Sequence, residues 1–158
     1  MPAIMSDESA WVTTDKALVA SLPGGQAVIK WFGFCPSFHD ATLDGITIAG
    51  GNASLTLGAF RMTDRTDEEG YFILDRHAQV VIHMRRVTGL SLTGDAASII
   101  SELTVRRLPA TPDRSEWPTC TGPAAGDIEV AFGTSIGLTG SFYAGDVEFE
   151  LRPAEEPA

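Results

Sequence analysis

The sequence predicts a mainly β protein: an antiparallel meander of about eight strands folded into a sandwich or open barrel, with one or two short N-terminal helices. Three observations carry that expectation. From Ala41 onward, apolar residues recur with a period of two. Short alternating runs are separated by turn residues, of which Gly50-Gly51-Asn52 is the clearest set. Strand and helix patterns do not alternate along the chain, which argues against a Rossmann or other α/β arrangement.

The chain has 158 residues. That length suits a single domain spanning 1–158, able to bury a core without a metal or disulfide. Residues 1–10 and 153–158 read as disordered tails. Thr14 or Asp15 is placed to cap a helix through Lys16–Ala20, which Pro23-Gly24-Gly25 ends. A second helix is expected over Gln26–Phe32. Val28, Ile29 and Phe32 fall at helical spacing there, and Gly33 is its stop.

The strands follow. Thr42–Ala49 places Ile46 and Ile48 on one face, with Asp44 on the same side. Ala53–Arg61 turns Leu55 and Leu57 inward. Thr63–Gly70 reads as a charged loop, and Tyr71–Leu74 as a short strand or part of that loop. Ala78–Val87 is the strongest strand, with Val80, Ile82 and Met84 on one face. Gly89–Thr93 adds Leu90 and Leu92. Ile99–Leu108 has Ile99, Leu103 and Val105 in phase; its β-branched content favours strand over helix. Pro109–Gly126 is a long loop with Trp117 within it. Asp127–Phe132, Ile136–Phe142 and Asp146–Leu151 complete the set, the last two joined by a turn near Ala144-Gly145.

Composition narrows the function classes. The net charge is −10. Such a balance disfavours nucleic acid and anionic membranes as partners, and it suits a basic protein. No apolar run approaches the roughly 20 residues of a membrane span, and the first ten residues lack signal-peptide features, so a cytoplasmic location is expected. Cys35 and Cys120 have no metal-type spacing and are expected to be reduced thiols.

The stretch Trp31–Asp40 concentrates aromatics, a cysteine and the adjacent pair His39-Asp40. Adjacent side chains in an extended chain point to opposite faces, so these two are not expected to form a dyad. The structural reading has Asp40 accepting backbone N–H groups at a loop-to-strand junction. His39 is then half-buried and donates to a carbonyl. The chemical alternative is a pocket near His39, Asp40 and Asp44 that binds a small molecule or uses His39 as general base. Cys35, set between Phe34 and Pro36, is expected to be a quiet thiol. His77 and His83 would share a strand face about 20 Å apart, too far for one metal. The cluster Asp64, Asp67, Glu68, Glu69 lacks the ligand spacing of a calcium loop. No nucleophile elbow or phosphate-binding glycine loop is present. Trp117 is either a contact anchor or a cover for an open end of the sheet. The binding residues expected are therefore His39, Asp40, Asp44 and Trp117. No catalytic residue, metal ligand or cofactor is identified.

The segment Phe34-Cys35-Pro36-Ser37-Phe38-His39-Asp40, followed by Ala41 and an alternating strand, resembles the WPSFHDAE signature of the immunity protein 50 family, small bacterial β-rich proteins of polymorphic toxin systems. Gly140-Ser141-Phe142 and Val147-Glu148-Phe149 are similar to that family's closing strands. Cys35 stands where the family more often has Trp, and Thr42 where it has an acidic residue. The resemblance implies a non-enzymatic protein that neutralises a toxin by covering its active site, and the charge of −10 would suit a basic toxin. It supplies no catalytic residues. An oligomeric structural role is a further alternative, with Arg85, Arg86, Arg106 and Arg107 as edge guards or as contacts in a homodimer.

Overall fold

The computed structural model describes residues 13–95, 99–113 and 122–154. Trp117 and Cys120 lie outside them. Among the described residues two helices, α1 (Lys16–Ser21) and α2 (Gly25–Phe32), precede six strands: β1 (Thr42–Ala49), β2 (Asn52–Thr66), β3 (Phe72–Thr93), β4 (Ile100–Arg107), β5 (Ile128–Thr134) and β6 (Thr139–Pro153). All pairings are antiparallel, in one sheet of order β1-β2-β3-β6-β5-β4. The fold is mainly β, as expected. Strands β3 to β6 form a Greek key, because β6 returns to lie beside β3.

Six long strands stand where the spacing suggests about eight shorter ones. The two segments on either side of Thr88 are one strand, because a bulge between Val87 and Gly89 absorbs the break. Arg86, at φ 53, provides the local turn of the backbone. The expected Ala144-Gly145 turn is likewise absent: β6 runs straight through it. A side chain at position 145 would meet the Arg86 guanidinium, with Cζ 2.7 Å from an added Cβ. Gly145 is thus a crossing point and not a turn.

The core lies on the inner face, the one the helices cover. Leu55, Leu57, Val80, Ile82, Val130, Phe142 and Phe149 meet Val28 and Phe32 of α2 there, all buried. Asp15 caps α1, its Oδ1 accepting from the amide of Leu18 at 3.1 Å. Thr14, the other expected cap, serves elsewhere. In β4 a register shift between Ile100 and Glu102 changes the expected phase. Ile100 takes the core position, and Ile99 is left exposed.

The two edges of the sheet approach each other at one end. Thr42 bridges Ile99, the Asp40 amide donates to the Ile100 carbonyl at 2.8 Å, and the Ile100 amide donates to the Ala41 carbonyl at 2.8 Å. Farther along β4, the Leu103 amide donates to the Ser37 carbonyl. The Thr14 hydroxyl donates to the Leu103 carbonyl and accepts from the Val105 amide, and the Asp15 amide donates to the Val105 carbonyl. The outer edge of β4 is therefore covered by the segment before the first strand. The sheet is not closed, and the result is an open barrel.

Where β3 meets β6 the outer face carries diagonal polar pairs. His83 Nε2 lies 2.8 Å from Glu150 Oε1, and Arg85 donates to Glu148 at 2.6 Å. Arg86 donates to Asp146, Arg152 to Glu150, and Arg61 makes a two-pronged bond to Asp75 at 2.8 and 2.7 Å. Arg106 bonds the nearly buried Glu129, and Arg107 bonds the Gly126 carbonyl. All four arginines considered as edge guards thus have partners within the chain.

Hydrogen bonds from Arg61, Arg86 and, for Glu150, Arg152 and then His83 hold the carboxyls of Asp75, Asp146 and Glu150 below their ordinary range. A carboxyl depressed in the folded state contributes stability above its unfolded pKa of about 4 and loses it as pH falls through the folded value. The urea midpoint is therefore expected to stay level from neutral pH to about 4.5 and to fall below that. Asp75→Asn should make the fall shallower; an unchanged slope would show that Asp75 does not contribute.

Candidate functional site

Gly33, at φ 84, stops α2 and sends the chain across the open end of the barrel. Trp31 fixes this exit: its Nε1 donates to the Arg76 carbonyl at 2.9 Å, and the Arg76 guanidinium sits 4.5 Å from the Trp31 ring. Arg76 presents itself because it occupies a bulge in β3, at φ 52, opposite the step from Ala59 to Arg61.

The segment 34–41 then runs beside the continuation of β2. β1 ends its pairing at Thr42 opposite Gly58, whereas β2 continues to Thr66 with β3 alone on its other side. The space between is a groove of about 200 Å³. Phe34, Pro36, Phe38 and His39 line one wall, and Ala59, Phe60 and Met62 the other.

Two left-handed residues shape the first wall, Phe38 at φ 60 and Asp40 at φ 68. Phe38 turns its ring into the core. The Ala41 amide closes a turn onto the Phe38 carbonyl at 3.0 Å, with Asp40 in the third position, where Asp tolerates positive φ. This corrects the expectation that His39 and Asp40 cannot meet. The chain is not extended at Asp40, and His39 Nδ1 lies 3.2 Å from Asp40 Oδ2. It also corrects the expected burial: the His39 side chain is 65% exposed and that of Asp40 37%. His39→Ala is consequently expected to change stability by less than about 0.5 kcal/mol, the range of an exposed side chain. A thermal melt checks this, and a loss several times larger would restore the structural reading, in which His39 is half-buried and donates to a carbonyl.

Asp44 does not join them. A bulge between Leu43 and Gly45 takes it off the face of Ile46 and Ile48. Its carboxylate accepts from Thr42 and from Gln79 on the outer side of the sheet, above Gly58. Cys35 is half-buried and lines clefts with Thr14 and Leu103 on the helix side, away from His39. Burial pushes its thiol pKa up, against the pull of Lys16, in keeping with a quiet thiol. Among the described residues no three His, Cys, Asp or Glu side chains group as a metal site. In the acidic tip between β2 and β3, Asp67 Oδ1 accepts from the amides of Glu69 and Tyr71, so that carboxylate is engaged by its own loop.

Sequence reasoning missed the apolar surface beside the groove. Phe34, Met62, Tyr71, Phe72 and Leu74 are exposed, Met62 at 52% and Phe72 at 54%. Met62 sits directly opposite Leu74, and both Met62 and Phe34 line the groove or its rim. A signal was present: Phe60 and Met62 on one side of the Asp67–Gly70 turn, and Phe72 and Leu74 on the other, each with a period of two. The charge between them made the segment look like a solvated loop.

Among the described residues no helix is long and apolar enough to cross a membrane. The chain matches no family model, no curated protein and no solved structure.

Proposed function

We propose that this chain is a non-enzymatic protein-binding domain of immunity type, which neutralises a basic toxin by covering its active site. The observation that carries this reading is the exposed apolar pair Phe34 and Met62 at the groove, continued by Leu74 opposite Met62 and by Phe72 farther along β3, on a chain of net charge −10. Large exposed apolar clusters on soluble chains mark interaction sites, and aromatic anchors hold a partner that charge has steered in. The test is co-expression with the product of the adjacent gene. Rescue of growth, together with co-purification lost in a Phe34→Ser, Met62→Ser double variant, is the expected result. Full toxicity in the presence of the wild-type chain would overturn the reading.

The contact between His39 and Asp40 at the groove supports a second reading, a small-molecule site with His39 as general base. Asp44 is not part of it. Under this reading a small ligand in the groove would shift the His39 ring resonances in a proton NMR titration, and a His39→Gln variant would lose turnover of that ligand; binding with no turnover would overturn the role of His39 as general base.

A further inference from the structure

The groove has a backbone wall as well as apolar side chains. Ala49 and Asn52 face each other across the turn Gly50-Gly51, whose φ values are 57 and 81. Residues flanking such a two-residue turn exchange both of their hydrogen bonds. The alternation then directs the amides and carbonyls of Asn52, Ser54, Thr56 and Gly58 toward β1. At the next register shift, between Ala59 and Arg61, the extra residue is in β3, and the irregularity of β2 comes after Met62. β2 therefore carries the alternation on and directs the amides and carbonyls of Phe60 and Met62 to the same side. There β1 has ended, and among the described residues no strand pairs with β2 on this side. The side chains of Phe60 and Met62 share the outer face.

Building on the protein-binding reading, we infer that this open edge of β2 takes an extended, cationic segment of a partner protein as an added antiparallel strand, seated between β2 and residues 34–41. Antiparallel addition gives the better-aligned ladder. The register specifies the segment. Side chains opposite Met62 and Phe60 are two residues apart, so the segment carries two apolar residues at alternate positions, with a cationic residue N-terminal to them, toward Asp64 and the acidic tip. Charge favours a cation here. Asp64 follows Met62 in β2, Asp40 is on the opposite wall, and Asp67, Glu68 and Glu69 form the adjoining tip. The nearby cations are Arg61, held by Asp75, Arg76, stacked on Trp31, and Arg65. The segment 60–66 carries neither the lysine nor the proline that commonly blunts an edge. The outer edge of β1, by contrast, is broken by its bulge at Asp44.

The probe is a capped heptapeptide, Thr-Lys-Thr-Val-Thr-Val-Thr, added to the full chain. Amide hydrogen exchange at Phe60 and Met62 is expected to slow on binding. An added strand uses only alternate amides of the peptide. Of two versions N-methylated in the two alternate registers, one should therefore lose at least about tenfold in affinity and the other should bind like the parent. Replacing the lysine by glutamate should also weaken binding. Equal behaviour of the two methylated peptides, or no slowing at Phe60 and Met62 with millimolar parent peptide, overturns strand addition. The toxin-binding reading is judged separately by the co-expression result. Slowing of the same amides with rising protein concentration and no peptide would show a second copy on the edge, and would overturn the cationic partner.

Discussion

Gly24→Ala is expected to destabilise the protein by about 3 kcal/mol or more, among the larger effects a single substitution produces. Two costs add at this position. Gly24 has φ 78, a left-handed conformation that L side chains resist. An added Cβ would also lie 1.8 Å from the Phe149 carbonyl oxygen, which is backbone in the middle of β6 and has little room to yield. The link between the helices passes this close because the Phe149 amide donates to the Pro23 carbonyl at 2.8 Å. A helix connection is thereby pinned to the sheet's backbone. Urea denaturation measures the effect; a midpoint close to wild type would mean that the link moves freely away from β6.

Phe32→Ala is the second large effect, expected at about 3–5 kcal/mol. Phe32 is fully buried at the end of α2, among the largest side chains in the core. Its removal takes away apolar surface and leaves a cavity that the surrounding strands cannot collapse to fill, since their spacing is fixed by hydrogen bonds. Phe32→Leu should cost less than half as much, because it retains most of the volume. If the two variants lost the same amount, packing volume would not be the cause. Both substitutions leave the groove's lining residues unchanged, so binding by whatever folded protein remains is expected to persist.

The strands that were legible in the sequence are those whose burial follows a strict period of two. Val80, Ile82 and Met84 in β3, and Val147 and Phe149 in β6, are examples. The Asp15 cap and the turn at Gly50-Gly51 were legible because their chemistry is local. Bulges account for most of what was not. Those at Asp44, at Arg76 and after Arg86 each shift the alternation or bend the strand. Two of them rest on arginines at positive φ, a residue type that gives no warning of it. The candidate site was partly legible. His39 and Asp40 were singled out, but their meeting depends on the left-handed Asp40, and a period of two assumes an extended chain. The open edge of β2 could not be read at all, since it results from a difference in length between two paired strands.

The covering of β4 has a consequence for how the chain assembles. Its edge partners Thr14 and Asp15 are made long before it, with 91 positions separating Thr14 from Val105. Hairpins such as β1–β2 and β5–β6 close over short loops, whereas this contact must wait for two distant segments to be brought together by the rest of the sheet. The N-terminal segment is therefore expected to dock late. Until it does, a folding intermediate presents β4 as an unpaired template, at which two incomplete copies can join. Recovery after dilution from denaturant should fall as protein concentration rises, and a shortened chain lacking residues 1–15 should show that loss at much lower concentration.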